Sequence, residues 1–404
     1  MSRCIVRPGT DPKDDLLATL ASAASVCVDE PDLSSVAAAL SKRSISNAFQ
    51  GNDREICWGE AINLQHKALR CGLTITMDAP IIPPIMADAP DISVVVVNYN
   101  TAHLLDELFT ALETSRGTLK LQVIVIDNAS RDGSVNTLRA KYPNVELIEN
   151  QANVGFGRAN NQALPRIRGR YVLLLNADAF VAPDTLQKTV EFMDAHSRCG
   201  VLGVKLVGRD GALQPSCRYF PTPLNLFLVR TGLKRFLPGT QLVDDLSWDH
   251  ASVRECDWVP GCFYLVRREV IERAGLFDPR YFLYYEEIDH CRRVRQAGWS
   301  VLYYPFTQVV HVAGESAKSE GPLTAHGRQI SAQQIESELL YFRKHHGLTG
   351  LLSALALTTL SDALIACKGL VLHLDIDPAA EAAKHAWTTL KLLIMTKLAS
   401  RATR

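Results

Sequence analysis

Ile92-Ser93-Val94-Val95-Val96-Val97, followed at once by Asn98-Tyr99-Asn100, is the stretch that decides the fold class. Six residues dominated by β-branched side chains are too few for a helix. An apolar run without polar alternation suits a strand covered on both faces. Helical spacing follows over Leu104–Glu113, then a second short run at Val123–Ile126, a third at Val145–Ile148 and a fourth at Tyr171–Leu175. Strands alternating with helices require crossover connections, so the spacing predicts an α/β domain with a mostly parallel, Rossmann-like sheet flanked by helices.

Outward from that centre the chain divides into three zones. Residues 1–89 form an N-terminal extension, Ala- and Ser-rich, with helical patterning near Leu16–Val28 and Ile56–Leu69. It closes on the breaker run Ala79-Pro80-Ile81-Ile82-Pro83-Pro84, which reads as a linker. Residues 90–320 hold the α/β pattern, and residues 321–404 form a C-terminal helical region. Hydrophobic residues make up 47% of the 404 and charged residues 21%, the balance of a globular protein. Lys plus Arg equals Asp plus Glu at 43 each, so no global field draws the chain to nucleic acid. Ten cysteines lie without CxxC pairs, which fits reduced thiols and a cytoplasmic address better than a disulfide framework or a structural zinc site. Met1–Leu17 carries Pro8, Pro12 and charged residues before any apolar run, unlike a secretory signal.

In an open α/β sheet ligands collect beyond the carboxyl ends of the strands. Those ends here read Asn98-Tyr99-Asn100, Asp127-Asn128-Ala129-Ser130, Asn153-Val154-Gly155-Phe156-Gly157-Arg158-Ala159-Asn160 and Asn176-Ala177-Asp178. Any one of these could be a turn or a helix N-cap. Four in succession deliver amides, carboxylates and glycines to a single edge. Gly155-Phe156-Gly157 is no dinucleotide fingerprint, because Asn160 stands where the third glycine belongs and the segment follows the third strand. Small residues there still let backbone approach a nucleotide. Asn176-Ala177-Asp178 has the spacing of a diphosphate–metal site, since Mg²⁺ or Mn²⁺ needs few protein carboxylates when phosphate supplies the rest.

A denser cluster follows: Tyr284-Tyr285-Glu286-Glu287-Ile288-Asp289, ahead of a helical pattern with Arg292, Arg293 and Arg295. An acidic helix start of this kind often only balances the macrodipole. Aromatic and apolar neighbours (Tyr281, Phe282, Leu283, Trp299) argue instead for partial burial, which lifts a carboxylate towards general-base range. His311 ends the apolar run Val309-Val310, and becomes a ligand candidate only if Asp178 sits beside it.

Taken together, Val-Val-Val-Asn-Tyr-Asn (95–100), Val-Ile-Asp-Asn-Ala-Ser-Arg-Asp-Gly-Ser (125–134), Asn-Val-Gly-Phe-Gly (153–157), Leu-Leu-Asn-Ala-Asp-Ala (174–179), Gly-Cys-Phe-Tyr-Leu-Val-Arg-Arg (261–268), Tyr-Glu-Glu-Ile-Asp (285–289) and His-Val-Ala-Gly-Glu-Ser (311–316) resemble the GT-A inverting glycosyltransferases of family 2. The rhamnosyltransferase-like branch of bacterial polysaccharide synthesis is the nearest in pattern. The resemblance implies a nucleotide diphosphate sugar as donor, rhamnose being the sugar of the branch it resembles while the sequence itself leaves the sugar open, and a glycan or polyprenyl-linked glycan acceptor. It implies that Asp127 receives the pyrimidine base, with Asn98, Asn100, Asn153, Gly155, Arg158, Asn160 and Asn176 around the donor. A divalent metal, Mn²⁺ or Mg²⁺, falls to Asp178 and His311, and the catalytic base to Glu287. The acceptor side falls to Trp258, Gly261, Glu286 and Asp289, the last two remaining rivals for the base. Two departures stand out: Ala177 where the family has Pro, and Glu287 where it usually has Asp. The rival from another class is a non-catalytic nucleotide-sugar or glycan-binding protein of the same fold.

The C-terminal region adds a membrane question. Leu348–Leu372 is apolar but interrupted by Asp362, Lys368 and Gly369, which reads as interfacial or buried rather than spanning. From Lys384 to Arg404 there are five basic residues and no acid, with Trp387, Leu390, Ile394 and Leu398 at helical spacing. That is the pattern of a helix lying on an anionic membrane surface, and it predicts a peripheral place on the cytoplasmic face of the inner membrane.

Overall fold

The computed structural model describes residues 82–83, 88–312, 332–373 and 376–404. The helical patterning of the N-terminal extension, most of the Pro-rich linker, and Glu315 and Ser316 lie outside these residues. Residues 79–404 form one compact unit.

The first half follows the crossover pattern. β1 (Ile92–Asn98) leads through α1 (Leu105–Ser115) to β2 (Leu121–Asp127), and α2 (Ser134–Lys141) leads to β3 (Glu146–Glu149). Next, α3 (Phe156–Gln162) leads to β4 (Tyr171–Asn176). All three pairings among β3, β2, β1 and β4 are parallel, and the register sets Asn98 beside Asp127 at the carboxyl ends. Both faces of these strands are covered. Val95, Ile124, Val172 and Leu174 enter one apolar layer, while Val94, Val96, Val125 and Leu173 enter the other. Ser93 is tolerated inside the run because its buried hydroxyl donates to Gln122 Oε1 at 2.6 Å and accepts from Gly169 N at 2.8 Å.

The second half mixes directions. After β5 (Ala179–Val181) and α4 (Thr185–Ala195) come β6 (Cys199–Val207), β7 (Leu213–Gln214), α5 (Pro223–Thr231), β8 (Arg254–Glu255) and β9 (Phe263–Arg267). Then α6 (Arg268–Ala274), α7 (Glu286–Gln296) and β10 (Ser300–His311) complete the sheet, whose order is β3-β2-β1-β4-β9-β6-β10-β5. β9 runs antiparallel to both β4 and β6, whereas β6 and β10 are parallel. The parallel character foreseen from strand–helix alternation thus belongs to β1–β4 and to β6–β10. The short antiparallel β5 pairs with the end of β10, setting His311 opposite Ala179.

Beyond the sheet stand α8 (Ala332–Lys368) and α9 (Asp377–Met395), which pack against each other, with α8 also against α5. α8 bends at Gly347, whose φ of 65° is a left-handed value. Its first part is core, with Leu339, Leu340, Tyr341 and Phe342 buried. Its second part holds Asp362, which is buried and paired with Arg230 of α5 and with His385 of α9, the latter at 2.9 Å. By length and composition α8 through Val371 could cross a membrane. Its Asp362 is ion-paired with two neighbouring helices.

Candidate active site

The carboxyl ends of β1, β2 and β3 are knitted by side-chain amides. Asn98 Nδ2 donates to Asp127 Oδ1 at 2.8 Å and to Ser130 Oγ at 3.0 Å, while its Oδ1 accepts from Thr101 at 2.6 Å. Asp127 Oδ2 accepts from the Ser130 amide at 2.9 Å. Asn128 Nδ2 donates to Asn153 Oδ1 at 2.8 Å, and its Oδ1 accepts from Val154 N at 3.0 Å. Asn100, with a left-handed φ of 54°, receives the Arg131 amide on its Oδ1. Asn98, Asp127 and Asn153 therefore shape this edge, and Asn98 is saturated by protein partners.

Other donor-side candidates are occupied in ways the sequence does not disclose. Gly155 is required by a chain crossing: a Cβ there would lie 2.3 Å from the Phe282 carbonyl, which accepts from Phe156 N. Arg158 donates to the carbonyls of Pro279 and Arg404, both at 2.7 Å, so it staples the C-terminus to the domain. Asn160 is buried on α3, its Nδ2 on the Phe156 carbonyl and its Oδ1 without a hydrogen-bond partner among the described residues. Asn176 ends β4, with its backbone N–H on the Cys262 carbonyl at 3.1 Å.

Asp178 occupies the turn between β4 and β5, and the β5–β10 pairing brings His311 Nε2 to 3.6 Å from its Oδ1. His311 Nδ1 lies 2.9 Å from Gln214 Oε1, while Gln214 Nε2 donates to the His311 carbonyl. That exchange fixes the ring and leaves Nε2 facing the carboxylate. Burial works against the imidazolium, but Cys262 and Asp178 outweigh it and lift His311 to about 9. One carboxylate oxygen and one imidazole nitrogen side by side fit a hard or borderline divalent cation that draws further oxygens from elsewhere. No group of three such ligands exists among the described residues.

The acidic cluster starts α7. Tyr284 and Tyr285 both have left-handed φ, 68° and 69°, an uncommon conformation for aromatic residues and a local strain. Glu286 and Glu287 follow. Burial, then the neighbouring Glu287, pushes Glu286 well above the usual carboxylate range. Burial likewise raises Glu287, opposed by the Arg218 guanidinium and the Gly261 N–H. Glu287 keeps part of its surface open, yet its Oε2, like that of Glu286, has no hydrogen-bond partner among the described residues. Asp289 differs. Burial alone would raise it, but His345 at 2.6 Å, Arg293 at 2.9 Å and Lys344 hold it well below the ordinary range. With no exposed surface and three basic partners, Asp289 is a structural hub, which removes it from the acceptor side and from the contest for the base.

Trp258 is corrected in the same way. It is buried, its indole N–H donates to the Tyr219 carbonyl at 2.9 Å, and the Arg218 guanidinium covers its ring at 4.9 Å. Gly261 serves the acid rather than an acceptor, through its N–H on Glu287. Three residues passed over in the sequence prove central. Cys262 acts on His311 through its side chain and accepts the Asn176 N–H on its carbonyl, while Gly261 lies beside Glu287, so Gly261-Cys262 links the Glu287 region to the Asp178–His311 pair. Gln214 orients His311, and the charge of Arg218 reaches both Glu287 and His311.

Residues 93–237, covering most of the strand ends just described, match the family described as Glycosyl transferase family 2. Residues 93–237 are a family 2 glycosyl transferase domain, and the chain is a glycosyltransferase. The transferase is similar to the N-acetylglucosaminyl-diphospho-decaprenol L-rhamnosyltransferase of Mycobacterium tuberculosis H37Rv, at 29% identity over 54% of this chain and 75% of that one. It is also similar to the rhamnosyltransferase WbbL of Escherichia coli K12, at 30% identity over 41% of this chain and 63% of that one. Among solved structures, the mannosyltransferase PcManGT from Pyrobaculum calidifontis, in complex with GDP-Man and Mn²⁺, aligns at a TM-score of 0.45. That alignment has 18% identity and covers 84% of this chain and 95% of that chain.

Proposed function

We propose that the transferase moves a sugar, rhamnose in the first instance, from a nucleotide diphosphate donor to a hydroxyl of a lipid-linked glycan, with inversion at the anomeric carbon. The observation that carries this reading is the Asp178–His311 pair, 3.6 Å apart where β5 meets the end of β10, with the charge of Arg218 felt by both His311 and Glu287. Base and cation ligands thereby share Arg218 as a charged neighbour. Glu287 takes the proton of the acceptor hydroxyl, a role supported by its raised affinity for protons and its unpartnered oxygen. Glu286, more deeply buried, stays protonated and spares Glu287 a second negative charge. Asp178 and His311 would hold a divalent cation, Mn²⁺ or Mg²⁺, which when bound supplies charge neutralisation for the leaving diphosphate. The amide-lined edge around Asp127, Asn128 and Asn153 receives the nucleoside. The lipid-linked acceptor is supported by the diphospho-decaprenol substrate of the mycobacterial relative and by the exposed apolar helices described below.

Calorimetric titration of nucleoside diphosphate with and without Mn²⁺ tests the ligand assignment without turnover. Wild type should bind the nucleotide more tightly with Mn²⁺, and Asp178→Ala should lose that increment while keeping the metal-independent part. Equal Mn²⁺ dependence in Asp178→Ala overturns the assignment.

A further inference from the structure

We propose that the outward face of α9, with the apolar segment before it, is a lipid-docking surface that lays the transferase on an anionic membrane without crossing it. The inner face of α9 is set by Ala382, His385, Thr389 and Leu392, which are buried or nearly so. Opposite them, at helical spacing from the first turn, stand Ile376, Trp387, Leu390 and Ile394, of which Ile376, Trp387 and Ile394 are 71%, 67% and 69% exposed. Large apolar side chains this bare, in line along one helix, mark an interaction face. The helical segment Gly369–His373 that follows α8 is bare as well, with Leu370 and Val371 exposed.

Charge chooses the occupant. Lys391 and Lys384, the latter 3.8 Å from Glu381, run along one edge of the stripe, exposed Lys368, Lys397 and Arg401 lie towards its two ends, and the acids Asp377 and Glu381 are confined to its first turns. No acid follows Glu381. An apolar ribbon with a basic edge matches acyl chains beneath anionic headgroups. A second copy of the chain suits it poorly, since a twofold contact through this face would set basic edge against basic edge. Crossing the bilayer is disfavoured by the inner face, where His385 holds the Asp362–Arg230 pair that a spanning hairpin would carry into hydrocarbon.

The surface differs from the one read in the sequence. The helix ends at Met395, and Lys397, Leu398 and Ala399 turn back with left-handed φ of 49°, 56° and 55°. Thr403 then binds Glu336, and Arg404 covers the Phe282 ring, so the last residues belong to the catalytic body. Docking is thereby moved to Ile376–Ile394. The same α8 that supports this surface also grips the acidic loop, through Ser337 on the Leu283 carbonyl and Glu338 on Tyr285. A cleft held in this way keeps a constant height above the headgroups, where the hydroxyl of a lipid-linked glycan lies.

The test is sedimentation of the full chain with phosphatidylglycerol vesicles, set against phosphatidylcholine vesicles, at low and high salt and without donor. Binding should favour phosphatidylglycerol and fall with salt. Ile376→Glu/Ile394→Glu should lower it at least tenfold, and Lys384→Gln/Lys391→Gln about fivefold per charge removed. Trp387 fluorescence should be quenched by lipids brominated near the headgroup, with Trp387→Phe as the control. All these side chains are exposed, so transfer to a short soluble acceptor should persist, which separates this result from failure of the transferase assignment. Unchanged binding by the double isoleucine variant overturns the proposal. So does midplane quenching of Trp387, which would indicate a spanning helix. A dimer that dissolves in the isoleucine variant, with no vesicle binding by wild type, overturns it in favour of self-association.

Discussion

The two ends of the cleft handle buried polarity in opposite ways. Along β1–β3, the carboxylate of Asp127 and the amides of Asn98, Asn128 and Asn153 satisfy one another, and the edge is built before any ligand arrives. At the start of α7, Glu286 and Glu287 share a buried site with an unpartnered oxygen each, behind two tyrosines in left-handed conformation. The first region is a template and the second holds potential chemistry. A satisfied network costs little to keep, whereas a paired-acid site costs stability and must be clamped from outside. Here α8 is the clamp, and it grips Asp289 rather than Glu286 or Glu287.

Substitutions on either side should separate the two behaviours. The largest effect is expected at Glu287→Gln, which keeps shape but cannot take a proton. Its kcat should fall about 10²- to 10⁴-fold while donor affinity holds. If Glu286→Gln lost more turnover than Glu287→Gln in the same assay, the base would have to be reassigned. On the template side, Asn98→Ala leaves Asp127 and Thr101 short of a partner. It should cost about 1–3 kcal/mol of stability, read by denaturant unfolding, with the loss of turnover secondary.

A smaller effect should appear under acid. Asp289 is held below its ordinary range and Asp278 is lowered to about 2, against desolvation, by partners that include Lys344. A carboxyl lowered in the folded state stabilises above its unfolded value, and loses that contribution as pH falls through the folded one. Lys344→Met should therefore move the acid-unfolding midpoint to higher pH, followed by circular dichroism. An unmoved midpoint would show that the clamp does not depend on this lysine. The smallest shift belongs to Arg218→Gln. Burial raises Glu287 and the Arg218 charge partly offsets this, so removing the charge should lift Glu287 further. The acid limb of kcat/KM should move to higher pH by a fraction of a unit. A limb displaced to lower pH would contradict the placement of Arg218 beside the base.

Much of the template was legible from local pattern. Short apolar runs ending at or just before Asn98, Asp127 and Asn176, with Asn153 in the loop after the third, put those residues at one sheet edge, because parallel crossovers return every strand in the same direction. The acidic loop was legible only as a cluster. Which of its acids stays unpaired depends on Lys344 and His345, and helical spacing places those two residues without revealing what they touch. Trp258 and Gly155 misled for the same reason. An aromatic residue and a glycine look like ligand contacts until Arg218 and the Phe282 carbonyl are seen to occupy them.

By itself the sequence determined the α/β class, the strand-end residues and the motif set of the family, because periodicity and strand-end chemistry are local properties written along the chain. Tertiary structure alone decided three further things. Antiparallel pairing of β5 with β10 brought His311 to Asp178. The Gly261-Cys262 link joined that pair to Glu287. The fold also turned the C-terminal residues back onto the catalytic body while leaving the α9 stripe bare. Each is a contact between segments far apart in sequence, settled by packing and ion pairing that no local pattern encodes.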